Sequence, residues 1–180
     1  MKKILLLLFV VLATVSTVVA QEKVTVKGNL KKVVPILFNN MENGFAKLVK
    51  PINNSVENLA IVLENEPNIA KIEVKWVERF GKKNRVIVIT WKKSNSPAFV
   101  IQEQKEIVNL VIENFKDFDV DLTENRLVSY VKEEESIVAY SAIFTSNTNE
   151  KCYVQSIVNS DYSNRAKPIF NNQLFFYSCN

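Results

Sequence analysis

AKIEVKWVERFGKKNRVIVITWKK, residues 70–93, is the stretch that decides how the rest of the chain is interpreted. Its first part alternates apolar and charged side chains, as a strand with one buried face does: Ile72, Val74 and Trp76 against Lys71, Glu73 and Lys75. Residues 80–84 (FGKKN) are typical of a turn, and residues 86–89 (VIVI) are apolar on both faces. We therefore predict a β-hairpin whose second strand lies inside a sheet and whose first strand turns Trp76 toward the core.

Helical spacing appears on both sides of this hairpin. Apolar residues recur every three or four positions over 34–52, which predicts an amphipathic helix that Pro51 kinks or ends. Residues 53–55 (NNS) would cap a second helix with an apolar face of Val56, Leu59, Ala60 and Leu63. Ser96-Pro97 begins another helix that fades by Lys116, and one polar turn, Gln102–Glu106, interrupts its apolar face.

Strand patterns dominate the remainder. A short strand is predicted at 23–27, and further strands at 126–131, 137–144, 151–158 and 174–179. Short connections pair neighbouring strands antiparallel, and the last strand is apolar on both faces, so we expect it inside the sheet. The predicted fold class is α+β: an antiparallel β-sheet of about five to seven strands, with two or three helices packed on one face.

The first twenty residues predict a secretory signal peptide. Lys2 and Lys3 form a basic start, residues 4–19 are uncharged and mostly apolar, and Val18-Val19-Ala20 precedes polar Gln21, where a signal peptidase would cut. The apolar run is shorter than the ~20 residues that span a bilayer, which disfavours a retained membrane anchor. We expect residues 21–180 to form a single α+β domain without a transmembrane span, exported to the periplasm, the cell surface or the medium.

Composition excludes several function classes. The chain has 23 basic and 19 acidic residues, and losing Lys2 and Lys3 would leave 21 minus 19, or +2, which is not the strongly basic balance of a nucleic-acid-binding protein. It contains no histidine, which excludes a Ser-His or Cys-His catalytic pair in this chain. With three glycines it has no phosphate-cradling loop. We expect no cofactor and no nucleic-acid partner.

Two cysteines, Cys152 and Cys179, complete the composition. In an exported chain an even count favours a disulfide between them. If the two cysteines face each other across an antiparallel pair, the numbers of opposed residues sum to 331. Val154 would then lie opposite Tyr177, and Ser156 opposite Phe175.

The hairpin carries the first candidate site. Lys82, Lys83 and Arg85, together with Trp91, could bind an anionic partner through charge and stacking: an anionic glycan, lipid headgroups or an acidic protein. The alternative is that the lysines only solubilise the hairpin and protect a sheet edge from pairing.

A second candidate is the acidic run Asp117, Asp119 and Asp121. Alternate carboxylates can bind calcium, which prefers oxygen ligands. An EF-hand loop would also need glycine and an acid where this chain has Leu122 and Val128, so that motif fails. The alternative is a short solvent-facing segment with Phe118 and Val120 directed inward.

The sequence therefore predicts an exported, non-enzymatic protein that binds a ligand or is associated with the cell envelope. Two alternatives remain open. One is a hydrolase that uses a carboxylate pair, as glycoside-cleaving enzymes do, although no pair can be identified. The other is an interaction or inhibitor module that presents an edge strand.

Overall fold

The computed structural model describes residues 25–51, 57–79, 81–128, 136–148, 151–164 and 167–179. The predicted signal peptide (residues 1–20) and the predicted helix cap (residues 53–55) lie outside these ranges. In chain order the elements are β1 (Val26–Gly28), α1 (Leu30–Phe38), β2 (Val49–Pro51), β3 (Glu57–Leu59), β4 (Ile61–Leu63), β5 (Ile69–Arg79), β6 (Lys82–Trp91), α2 (Pro97–Asn114), β7 (Phe118–Val128), β8 (Ser136–Ser146), β9 (Tyr153–Asp161) and β10 (Ile169–Tyr177). No helix in this part of the chain combines the length and apolarity needed to cross a bilayer.

Six strands form one antiparallel sheet in the order β5-β6-β10-β9-β8-β7. Two small pairs, β1 with β4 (parallel) and β2 with β3 (antiparallel), stand outside it. The helix α2 packs against β8, β9 and β10, and α1 contacts α2. This arrangement confirms the predicted α+β class with an antiparallel sheet.

The core lies between the helices and one face of the sheet. Helix α2 begins as predicted, since the Ser96 hydroxyl accepts a hydrogen bond from the Phe99 N–H at 3.3 Å and Pro97 occupies the first turn. The predicted hairpin is present as β5 and β6, and β6 lies between β5 and β10. Alternate β6 residues Ile87 and Ile89 are fully buried in the main core, while Val86 and Val88 belong to a second apolar cluster.

The long helix predicted over 34–52 is wrong beyond Phe38. Consecutive turns occupy residues 39–48, with Gly44 and Phe45 at φ of 61° and 59°, and β2 follows. Met41 and Phe45 are nevertheless buried. Tight turns bring residues three and four apart onto one side, as a helix does, so the apolar spacing did not distinguish the two.

The second predicted helix is also wrong, because its apolar residues Leu59, Ala60 and Leu63 lie in or between β3 and β4. The backbone N–H of Ala60 donates to Leu48 O at 2.6 Å, and Ala60 O accepts from Val26 N–H at 2.8 Å. Distant segments therefore satisfy the backbone here, and a short apolar segment cannot reveal such partners in advance.

The predicted disulfide Cys152–Cys179 is present, but the register is shifted by one residue. Val154 lies opposite Phe176 and Ser156 opposite Leu174, so opposed numbers sum to 330. Both cysteines lie just outside the strands, and the Cys179 N–H donates to Met41 O at 3.1 Å. Because the disulfide lies beyond the paired residues of β9 and β10, the cysteines do not have to follow the register of that pair, which explains the error.

Candidate functional site

The predicted basic residues separate into exposed and buried groups. Lys82 and Lys83 are exposed at the turn end of the hairpin, and neither has an ion-pair partner among the described residues. Arg85 is largely buried, and Trp91 is only 3% exposed within the core. The structure therefore does not bring the four predicted residues onto one surface.

Arg85 is held by three hydrogen bonds to two groups. Its Nε donates to Glu57 Oε2 at 3.0 Å, its Nη2 donates to Glu57 Oε1 at 2.7 Å, and its Nη1 donates to Gly44 O. The two side chains of this bidentate pair are 20% and 15% exposed, respectively. Arg85 thus ties β3 and the turn at Gly44 to the sheet, because its donors are directed at these two residues.

Trp76 was expected in the core and is instead 52% exposed. It shares the strand face of Ile72 and Val74, which do pack against the core. Trp76 lies opposite Arg85 in the ladder, and the Arg85 guanidinium carbon lies 4.9 Å from the centroid of its ring. The strand extends past the core at this point, so an inward-facing position remains accessible to solvent.

We call Trp76, Lys82 and Lys83 the hairpin patch. Lys83 and Trp76 lie on the same face, because Lys83 is two residues from Arg85 in β6 and Arg85 opposes Trp76, whereas Lys82 lies on the other face at the turn. The patch combines an exposed indole with two exposed ammonium groups at one end of the sheet.

Farther along β5, Glu73 accepts contacts from Lys71 and Lys75, both at 2.9 Å. Partial burial of Glu73 opposes its ionisation, but the hydrogen bonds and charges of Lys75 and Lys71 outweigh this and lower its pKa. Lys71 and Lys75 therefore share one acid, whereas Lys82 and Lys83 form no ion pair among the described residues, although Glu78 lies opposite Lys83 in the ladder.

The three aspartates that the sequence offers as calcium ligands lie along one short segment, and their calcium binding stays a prediction. Asp117 lies in the turn before β7, whereas Asp119 and Asp121 are exposed on that strand. Within the described residues no three acidic or sulfur-containing side chains lie close enough to hold a metal ion. Phe118 packs against the core as expected, but Val120 is exposed.

One cavity of about 240 Å³ lies beside the disulfide. Cys152 and Cys179 line it together with Phe38, Phe118 and the acids Glu42 and Asp117. The rings of Phe38 and Phe118 pack edge to face with centroids 5.0 Å apart. The disulfide therefore forms part of the wall of this cavity, together with Asp117.

A second cavity, of about 220 Å³, lies between the start of α1, the connection from β4 to β5, and α2. We call it the α2 cavity. Glu66, Trp91, Glu103 and Glu106 line it, with Lys31 as its one basic residue. Sequence reasoning missed this site, although the polar turn 102–106 in an otherwise apolar helix face was its signal: Glu103 and Gln104 are buried.

The comparisons with known proteins add no identity. No protein-family model matches the chain. No match was found among curated proteins or among solved structures.

Proposed function

We propose that this chain is an exported binding protein that recognises an anionic glycan through the hairpin patch. The observation that carries the proposal is the half-exposed Trp76 on the same strand face as the exposed Lys83, with the exposed Lys82 next to Lys83 at the turn. A large exposed indole loses apolar contact with protein, and a sugar ring can restore that contact by stacking while the ammonium groups pair with its acidic substituents.

The role of Arg85 supports this assignment. Its hydrogen bonds are made to Glu57 and Gly44, so it positions the indole instead of contacting a ligand directly. Lys82 and Lys83 have no such partners among the described residues, and their charges remain available at the surface. Only one indole is exposed in the patch, which favours stacking on a sugar over insertion into a lipid bilayer.

Export is part of the proposal. It rests on the signal-peptide pattern of residues 1–20 and is supported by the Cys152–Cys179 bridge, since disulfides persist mainly in oxidising compartments. Mass spectrometry of protein recovered from the producing cells tests it. A mature N-terminus at Gln21 in the exported fraction supports export, whereas intact cytosolic protein with reduced cysteines contradicts it.

The binding experiment compares Lys82→Ser/Lys83→Ser with Lys92→Ser/Lys93→Ser, a matched control with the same charge change at the opposite end of β6. Binding to immobilised polygalacturonate is measured at low and high salt. We expect the first variant to bind roughly tenfold or more weakly at low salt, because each cation near an anionic surface contributes about 1 kcal/mol. The control should remain close to wild type.

Trp76→Ala separates stacking from charge. It should weaken binding to polygalacturonate even at high salt, where ion pairing is screened. Equal loss in both lysine variants, or unchanged binding in Trp76→Ala, contradicts the proposal. Stronger binding to phosphatidylglycerol vesicles than to the polysaccharide would assign the patch to lipid headgroups instead.

A further inference from the structure

The α2 cavity contains a buried carboxylate whose hydrogen bonding is incomplete. Glu103 is 9% exposed, and its Oε2 accepts a hydrogen bond from Asn172 Nδ2 at 2.8 Å. Asn172 is itself fully buried and also donates to Val100 O at 2.9 Å, which fixes its orientation. Glu103 Oε1 makes no hydrogen bond to the described residues and is not among their buried unpartnered atoms, so this oxygen is accessible from the cavity that Glu103 lines.

The other charged groups of the cavity do not neutralise Glu103. Glu106 lies one turn farther along α2 and accepts a hydrogen bond from the Gln102 amide at 3.3 Å. Glu66 Oε1 accepts the backbone N–H of Leu30 at 2.8 Å, at the start of α1. Lys31 is the one cation in the lining, and it forms no ion pair with the three acids.

The lining also has an apolar part. Ile107 and Leu110 continue the helix face that bears Glu103 and Glu106, and Trp91 completes the wall from β6. Carboxylates next to aliphatic and indole surfaces match a ligand with a cationic head and a short hydrocarbon body. A volume of about 220 Å³ restricts that body to a small molecule.

We propose that the α2 cavity binds a small primary ammonium compound, with its charged nitrogen between Glu103 Oε1 and Glu106 and its hydrocarbon part against Ile107 and Trp91. The ammonium supplies the donors and the positive charge that Glu103 lacks in the protein alone. This site is independent of the hairpin patch and takes a ligand of the opposite charge.

Binding should depend on pH. Burial raises the pKa of Glu103 and the Glu106 charge adds to this, while the Asn172 hydrogen bond opposes it. A cation binds the ionised carboxylate best, so binding releases a proton from any protein that still carries one at Glu103. Affinity therefore increases as the pH rises through the pKa of Glu103, with Glu66, Glu106 and Lys31 as the other titratable groups that face the cavity.

The test uses Trp91 as a reporter. The chain has two tryptophans, so Trp76→Phe leaves Trp91 as the only indole. Full-length protein with this change is titrated with n-butylammonium chloride, and with butan-1-ol as a neutral molecule of the same shape. We expect a saturable change in Trp91 fluorescence with n-butylammonium and none with butan-1-ol over the same concentration range.

Glu103→Gln should raise the dissociation constant of n-butylammonium roughly tenfold, because it removes a charge-assisted hydrogen bond, and should flatten the pH profile. Glu113→Gln is the matched control, since Glu113 is exposed on the same helix and does not line the cavity. If Glu103→Gln fails to fold, Glu106→Gln should still weaken binding severalfold. Equal binding of butan-1-ol, absence of a saturable signal, or equal affinity in the glutamate variants and Glu113→Gln would overturn the proposal.

Discussion

Arg85 was predicted as a ligand-binding cation, whereas its contacts assign it a structural role that can be measured. Replacing Arg85 with Gln leaves the Glu57 carboxylate, 15% exposed, without its two guanidinium hydrogen bonds, and leaves Gly44 O without a donor. Removal of one partner from a largely buried pair costs about 3 kcal/mol. For a domain of this size that corresponds to a decrease in Tm of roughly 6–12 °C.

A double-mutant cycle isolates the pair. Arg85→Gln, Glu57→Gln and the double variant are compared with wild type by urea unfolding, and we expect a coupling energy of about 2 kcal/mol. The more exposed pair Lys71–Glu73, a single ammonium–carboxylate contact at 2.9 Å whose side chains are 53% and 29% exposed, is the comparison and should give less than about 1 kcal/mol. A coupling energy for Arg85 and Glu57 no larger than that of the control would refute the structural role.

Three further predictions concern stability. Cys152→Ala/Cys179→Ala should lower the free energy of unfolding, measured by urea titration, by about 3.5 kcal/mol, because the bridge closes a loop across a sequence separation of 27. A decrease of less than about 1 kcal/mol would contradict this reasoning. In the same assay, Trp91→Ala should lower the free energy of unfolding by about 3–5 kcal/mol, whereas Trp76→Ala should lower it by about 1 kcal/mol or less. Equal decreases would contradict the burial of Trp91 and the exposure of Trp76. Folding raises the pKa of Glu103, so the contribution of Glu103 to stability is full at a pH below the unfolded pKa and is lost as the pH rises through the folded pKa. Thermal unfolding from pH 4 to 8 should therefore show the Tm of Glu103→Gln rising relative to that of wild type as the pH increases. A constant difference in Tm between the two proteins over this range would argue against the shift.

The elements that the sequence predicted correctly have a hydrophobic periodicity that fits one type of secondary structure. Alternation in β5, and the doubly apolar residues 86–89 of β6, allow a hairpin with one inner strand. The Ser96-Pro97 signal and the helical pattern that follows it predict α2, an eighteen-residue helix that begins at Pro97. In these segments local propensity and burial pattern indicate the same structure.

The errors lie where contacts with distant segments of the chain determine the secondary structure. Residues 39–51 and 57–63 form turns and strands of three residues, and the strands are completed by backbone hydrogen bonds to other parts of the chain. Because β3 was predicted as helix, Glu57 could not be recognised as the partner of Arg85. The predicted burial of Trp76 was wrong for a related reason. The alternation of a strand gives the face on which a residue lies but does not say where the core ends.

The two proposed sites occupy opposite ends of one strand and have opposite charge. Lys82 begins β6 and Trp91 ends it, so Lys82 is about 30 Å from the Trp91 wall of the α2 cavity at the rise of an extended strand, and Trp76, opposite Arg85, is about 20 Å from it. Charges at that separation are screened at physiological ionic strength, where the Debye length is about 8 Å. The formal net charge of +4 therefore averages a basic end and an acidic cavity that act separately. It follows that Lys82→Ser/Lys83→Ser should leave the affinity for n-butylammonium unchanged, and Glu103→Gln should leave polygalacturonate binding unchanged. A reciprocal effect in either direction would mean that the sites communicate through the sheet, and the independence argued from distance and screening would be wrong.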